Sequence, residues 1–289
     1  MLTEHQQHWG VDQWAAFLAA QELPSMLRSK MMLSALEEAQ GDALSAKELA
    51  ALASSDPFLC LRLLRESEKR RSRRLGRDTT TALGAVMQLG VNTFRDLLSN
   101  SPETDAESAG LAGCESRAVL ASQLAVLWVS ARADIAPDEI AMATLLAETG
   151  ELLLWSFAPE LPQAAEDALA RGQATRSIQA QEQVCGFHFR DLTLKCATIW
   201  ELPPLLFQLI HGVDNVRANI SRLCVDTARH LATGADNTAL ATDLAEAKRL
   251  IPQASLQWLA SNMIGLDDEH QAALVLCAAE ILKQTPAAE

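Results

Sequence analysis

Tyrosine is absent from this chain of 289 residues, and the aromatic residues together make up only 4% of it. Val and Ile are also scarce, with 20 residues between them, whereas Ala and Leu number 49 and 46. Aromatic and β-branched side chains are typical of strands, and Ala and Leu are among the strongest helix formers. The composition therefore excludes a β-rich protein and predicts an all-α fold.

Glycine and proline are too few for a fibrous or low-complexity chain, at 13 and 10 residues. Hydrophobic residues make up 49% and charged residues 21%, which excludes intrinsic disorder. A chain of this length can bury a large core in one or two domains.

Several catalytic and metal-binding motifs are missing. The six cysteines include no C-x-x-C pair, so a local thiolate clamp or redox dithiol is excluded, and we expect reduced, buried thiols. The sequence also has no G-x-S-x-G elbow, no G-x-G-x-x-G and no phosphate-cradling P-loop. We expect no cofactor and no bound metal.

The first residues and the longest apolar stretch indicate the cellular location of the protein. The first residues lack the basic and apolar regions of a signal peptide. The longest apolar stretch, Ile140 to Ala158, contains Glu148 and Glu151, whose carboxylates would be costly inside a membrane. We therefore expect a buried core helix, no membrane partner and a cytoplasmic protein.

Charge is distributed unevenly along the chain. The net charge is −13, yet the run from Arg62 to Arg77 carries +6. This run is either a solvated helix end or a docking patch for an acidic protein surface or an anionic ligand. The basic docking patch comprises Arg65, Lys69, Arg70, Arg71, Arg73, Arg74 and Arg77. Nucleic acid is a third, disfavoured hypothesis, because the chain is acidic and no aromatic residue lies between Phe58 and Phe94.

Helix signals occur along the whole chain. Ser45 and Glu48 have the spacing of a capping box, and Asp56-Pro57 places an N-cap residue before a first-turn proline. Other signals predict a helix closed by Gly90, a loop from Asn100 to Gly113 and a helix from about Ser116 to Ala133. Further predicted features are one helix from Pro137 to Phe157, a helix break near Gly186 and about four helices after Asn215.

Five segments, in order, resemble the HDOD family, bacterial relatives of the HD-superfamily metal phosphohydrolases and HD-GYP phosphodiesterases. They are Leu23-Pro24, Ser45 to Leu49 followed by Asp56-Pro57 and Leu61 to Leu64, Ala82 to Gly90, Glu182 to His188, and Trp200 to Pro203 followed by His211. The resemblance implies a multi-helical HDOD-like bundle in two lobes, one of them built around the Pro137–Phe157 helix. It implies an HDOD-like domain over residues 23–212, preceded by a helical segment at 1–22 and followed by a helical extension at 213–289.

The chain departs from the catalytic relatives at the His-Asp doublet that binds their metal. The aligned string is Leu145 to Gly150, in which Ala147 replaces the histidine and Glu148 the aspartate. His188 and His211 match positions at which many relatives keep histidine. Glu148, Glu151, His188 and His211 are therefore candidates for a ligand site or for the remnant of one.

The resemblance implies a non-catalytic regulatory module in signal transduction, which binds an unidentified signalling protein or an anionic ligand. The alternative is a residual metal-dependent phosphohydrolase or phosphodiesterase using Glu148, His188 and His211. The missing doublet favours binding over catalysis, because alanine cannot ligate a metal.

Overall fold

The computed structural model of the protein describes residues 2, 3, 5–70, 78–105, 107–212 and 214–284, without the side chain of residue 42. Over these residues the chain forms 17 α-helices, two short 3-10 helices (Gln6–His8 and Gly41–Ala43) and no β-strand. The prediction of an all-α fold is confirmed.

The helices are numbered in chain order. They are α1 Val11–Ala19, α2 Leu27–Gln40, α3 Ala46–Ala53, α4 Pro57–Arg70, α5 Ala82–Leu89, α6 Val91–Ser99, α7 Ala109–Val129, α8 Pro137–Leu146, α9 Thr149–Phe157, α10 Glu160–Ala170, α11 Ser177–Cys185, α12 Phe189–Ile199, α13 Pro204–His211, α14 Val216–Thr233, α15 Ala239–Leu250, α16 Leu256–Ser261 and α17 Asp268–Gln284.

The chain divides into two compact units, each made of two stretches. The first unit comprises Met1–Ser116 and Leu146–Phe207. In it, α12 packs against α1 and α9, and α5 packs against α3 and α4. Trp14, Phe58 and Phe94 lie in its core with at most 1% of their surface exposed.

The second unit comprises Arg117–Leu145 and Gln208–Glu289. In it, α15 packs against α14 and α17, and α16 packs against α17. The buried indole of Trp128 donates from Nε1 to the Leu259 carbonyl oxygen at 3.0 Å. The division at residues 22 and 212 made from the sequence stays a prediction.

Most of the helix signals identified in the sequence operate as expected. The Ser45 amide donates to Glu48 at 3.0 Å and the Glu48 amide to the Ser45 hydroxyl at 3.3 Å, which is a complete capping box. Gly90 ends α5 with φ +83°, the left-handed backbone region that glycine adopts readily. The break at Gly186 and the four helices after Asn215 are confirmed.

The predicted loop from Asn100 to Gly113 was too long, because α7 begins at Ala109 rather than near Ser116. The Ser108 hydroxyl accepts the Leu111 amide at 3.3 Å and caps the helix. A Cβ atom on Gly110 would lie only 2.2 Å from the Trp155 ring. The glycine therefore allows an indole to lie against the helix, whereas the sequence alone suggested a loop.

The sequence predicts one uninterrupted helix from Pro137 to Phe157, and this prediction is wrong. The stretch is α8 followed by α9, with a turn at Ala147 and Glu148. The interruption occurs where α9 packs against α12, as described below.

Among the described residues, one stretch, Pro137–Phe157, is long and apolar enough to cross a membrane by length and composition. In its most apolar window, 83% of the residues are buried inside the protein, which is also typical of a core segment. This agrees with the prediction of a buried core element.

Candidate functional site

The turn at Ala147 and Glu148, which separates α8 from α9, is held by one hydroxyl from another helix. Thr193 Oγ1, on α12, accepts the Gly150 amide at 2.8 Å. The same oxygen lies 3.3 Å from the Ala147 carbonyl oxygen and 3.2 Å from that of Phe189, either of which can accept its hydrogen. Thr193 thus satisfies the Gly150 amide at the helix break.

Close backbone packing accompanies this hydrogen bond. A Cβ atom on Gly150 would lie 2.3 Å from the Phe189 carbonyl oxygen and 2.9 Å from the Thr193 amide nitrogen. Only glycine allows α9 to approach α12 so closely. The backbone at Gly150 is therefore in direct contact with the first turn of α12.

Glu148 and Glu151 lie at the start of α9. Glu148 is the N-cap residue and is 5% exposed, and Glu151 is in the first turn and is 8% exposed. Acidic side chains at a helix N-terminus interact favourably with the helix dipole. Both carboxylates are therefore buried in the first unit, at the turn between α8 and α9.

His188 is the N-cap residue of α12 and lies between two exposed carboxylates. Its Nε2 is 3.4 Å from Glu182 and its Nδ1 is 3.4 Å from Asp191. The first amide of α12, that of Phe189, donates instead to the buried Gln181 side chain at 3.0 Å. His188 thus has an acid on each side of its ring.

His211 is the last residue of α13 and belongs to the second unit, whereas the other three candidates belong to the first. The structure brings the chain segments of Glu148, Glu151 and His188 together through the α9–α12 contact. Among the described residues, no group of three or more His, Cys, Asp or Glu side chains is arranged to hold a metal ion.

A second buried acidic group joins two of the family-like segments. Asp56 is fully buried, and its carboxylate accepts hydrogen bonds from the Met26 amide, the Ser29 hydroxyl and the Leu59 amide at 2.8–2.9 Å. Burial raises the pKa of Asp56, while these hydrogen bonds act in the opposite direction. The Leu-Pro and Asp-Pro segments are therefore joined through one side chain, which is a structural role.

Glu115, on α7, is a further buried acid, and Oε1 of its carboxyl group accepts no hydrogen bond from the described residues. Burial raises the pKa of Glu115 to about 7, with Asp56 adding to the shift and Arg28 opposing it. The burial of Glu115 could not be predicted from the sequence, because a glutamate within a helical pattern carries no local sign of burial.

The basic docking patch lies only partly within the described residues. Arg71, Arg73, Arg74 and Arg77 are outside them. Lys69 and Arg70 both pair with Glu66, at 3.8 and 2.9 Å. Arg65 instead lies over the Trp200 ring, with its guanidinium carbon 4.7 Å from the ring centroid.

Burial makes several of the cysteine thiols unreactive. It raises the pKa of Cys60, Cys185 and Cys196 to about 12, so these thiols stay protonated at neutral pH. The prediction of buried thiols holds for Cys60, Cys114, Cys196 and Cys224, but Cys185 is partly exposed and Cys277 is exposed.

Thr193 and Gln181 are the site residues that sequence analysis missed. Both act on backbone groups of a different helix or turn, 43 and eight residues away along the chain. Neither belongs to a motif, so only the packing of α9, α11 and α12 reveals their roles.

Comparison with known proteins agrees with this architecture. The HDOD domain matches the chain over residues 23–216. No curated protein matches the chain.

Several solved structures are similar to it. The MmoQ response regulator from Methylococcus capsulatus is 22% identical, with a TM-score of 0.60, over 89% of this chain and 99% of that one. A virulence factor from Campylobacter jejuni is 15% identical, with a TM-score of 0.70, over 90% and 98%. An HDOD domain protein of unknown function from Geobacter sulfurreducens is 16% identical, with a TM-score of 0.44, over 94% and 95%.

At these identities the first two likenesses concern the fold. The family model spans well over half of the chain, and the segments that it includes are those that meet at Asp56 and at the α9–α12 contact. The chain belongs to the HDOD domain family.

Proposed function

We propose that this HDOD protein is a non-catalytic regulatory module in signal transduction, which acts by binding a signalling protein or an anionic ligand. The observation that carries the proposal is the composition of the turn at residues 147–148. By the resemblance of residues 145–150 to the HD string, Ala147 aligns with the metal-binding histidine of the HD enzymes, and a methyl group cannot ligate a metal. The Thr193 hydroxyl holds the backbone around Ala147.

The remaining candidate ligands support the same proposal. His188 has carboxylates beside both ring nitrogens, at a distance suited to ion pairs when the imidazole is protonated. A hydrolytic metal centre needs several converging ligands and an open position for water. The response-regulator name of one structural neighbour is consistent with a signalling role, which enters as part of this proposal.

A hydrolysis assay tests the proposal against its alternative, a residual metal phosphohydrolase. The full chain is incubated with bis-(p-nitrophenyl) phosphate and with Mn²⁺, Mg²⁺, Fe²⁺ or Zn²⁺, beside the variants Glu148→Gln and His188→Gln. We expect no release of nitrophenol above that of the buffer. Metal-dependent release that is lost in both variants would overturn the proposal.

The main proposal includes location of the protein in the cytoplasm.

Nucleic-acid binding through the Arg62–Arg77 run is a third hypothesis. The net charge of −13 opposes a polyanionic partner. We expect no binding to single-stranded or duplex DNA or RNA at 150 mM salt. Binding that weakens steeply with salt would contradict this expectation.

A further inference from the structure

Four cations of the basic run lie on the described part of α4, and three of them have acceptors. The Arg62 guanidinium donates to the Leu23 carbonyl oxygen. Lys69 and Arg70 pair with Glu66. Arg65 makes no hydrogen bond or ion pair with the residues that the structure describes, although it is half-buried.

Trp200 holds the Arg65 guanidinium in a cation–π contact, 4.7 Å from the ring centroid. The indole itself is fixed, because its Nε1 donates to the Ala19 carbonyl oxygen at 3.1 Å. Burial, and after it the neighbouring Arg62, lower the pKa of Arg65, while Cys196 acts in the opposite direction. A guanidinium held in this way offers a planar fork of N–H donors that matches a carboxylate.

The surroundings of Arg65 indicate the kind of ligand. Ile199 precedes Trp200 in the chain and is 51% exposed, so an apolar side chain is open to a partner next to the residue that holds Arg65. Arg65 covers one face of the Trp200 indole, and that face is therefore closed to a stacking nucleobase. The run from Arg62 to Arg77 carries +6, which complements an acidic partner segment.

We propose that Arg65, Trp200 and Ile199 form a docking site for an acidic segment of a partner protein, with a carboxylate on the Arg65 fork and an apolar side chain against Ile199. This inference rests on the proposed function, because it assigns a place to the binding that the module performs. It also separates Arg65 from Lys69 and Arg70, which both pair with Glu66.

Selection from a phage-displayed library of random 12-residue peptides tests the site without knowledge of the natural partner. The baits are the full chain, Arg65→Gln, Arg65→Lys and the control Arg70→Gln. We expect the full chain and R70Q to enrich peptides with Asp or Glu near an apolar residue. Charge-assisted hydrogen bonds contribute enough that R65Q should weaken the binding of such a peptide by about tenfold or more.

The lysine variant distinguishes the contribution of the planar guanidinium donors from that of the positive charge. R65K keeps the charge but loses the planar donors, so we expect its affinity to lie between those of the wild type and R65Q. Thermal unfolding of each bait establishes that it is folded. If R65Q unfolds at a lower temperature than the other baits, the peptide affinity of R65K is compared with that of R70Q instead.

Two results would overturn the docking site. One is an enriched set that is not acidic or that binds R65Q as well as the wild type, which leaves the recognition function standing. The other is no enrichment on any bait. Metal-dependent hydrolysis lost in E148Q is the separate result that overturns the recognition function itself.

Discussion

The Gly150 amide donates a hydrogen bond to the Thr193 hydroxyl, 2.8 Å away, at the point where α9 meets α12. This hydrogen bond lies at the break between α8 and α9. The helix is interrupted, Ala147 stands in the turn, and the Gly150 amide is satisfied by a side chain rather than by its own helix.

Removing the Thr193 hydroxyl should destabilise the fold. Thr193→Val has nearly the same shape but leaves the Gly150 amide buried without an acceptor, which costs about 1–3 kcal/mol of unfolding free energy. Thr193→Ser keeps the hydroxyl and should lose less. Urea unfolding of the two variants checks this, and equal stability of T193V and T193S would contradict it.

Adding one methyl group at Gly150 should also be destabilising. Gly150→Ala places a Cβ atom 2.3 Å from the Phe189 carbonyl oxygen, and the backbones must separate at a cost of about 2 kcal/mol or more. The control is Gly84→Ala in α5, where the nearest atom is the Thr81 hydroxyl oxygen at 3.1 Å and where alanine favours the helix. Guanidinium unfolding of both variants provides the comparison. A G150A protein as stable as G84A would show that the close packing is not required.

The stability of the protein should depend on pH through Glu115. Its pKa is raised from 4.5 to about 7, so between these values the folded state keeps a proton that the unfolded state releases. Stability due to this group therefore falls as pH rises from 4.5 to 7, and the full cost is present above pH 7.

Glu115→Gln removes this dependence. We expect E115Q to match the wild type near pH 4.5 and to be more stable by about 1–2 kcal/mol at pH 8, because the amide has no charge to bury. Urea unfolding of both proteins at several pH values measures the difference. A difference that does not change with pH would contradict the burial of an ionisable Glu115.

The sequence predicted features whose causes are local, and missed those that depend on distant packing. The Ser45–Glu48 capping box and the end of α5 at Gly90 were predictable, because each depends on residues within one helical turn. Gly110 was placed in a loop, since only the Trp155 ring explains a glycine inside α7.

The candidate site shows the same limit. The order of the family-like segments led to the prediction that Ala147 and Glu148 align with the doublet, and this stays a prediction. The turn that they form could not be predicted, because Thr193, 43 residues from Gly150, holds it. Likewise, nothing within the basic run indicated that Arg65 differs from Lys69 and Arg70, because its ring partner lies on a segment far along the chain.

Relief of backbone strain at Glu201 should stabilise the protein. Glu201 follows α12 with φ +52°, and its amide and that of Leu202 donate to the Thr198 and Ala197 carbonyl oxygens. Glycine adopts this conformation at little cost, so Glu201→Gly should raise the unfolding free energy by about 0.5–1 kcal/mol. Glu201→Ala keeps the strain and should bring no such gain. Thermal unfolding distinguishes the two, and equal effects would argue against strain.

The central claim is that the protein works by binding rather than by metal-dependent turnover. The most direct test is elemental analysis of the full chain purified without chelator, beside Glu148→Gln. We predict far less than one equivalent of Mn, Fe, Ni or Zn per chain in both proteins. About one equivalent or more in the wild type, lost in E148Q, would contradict the claim and establish a working metal site at Glu148.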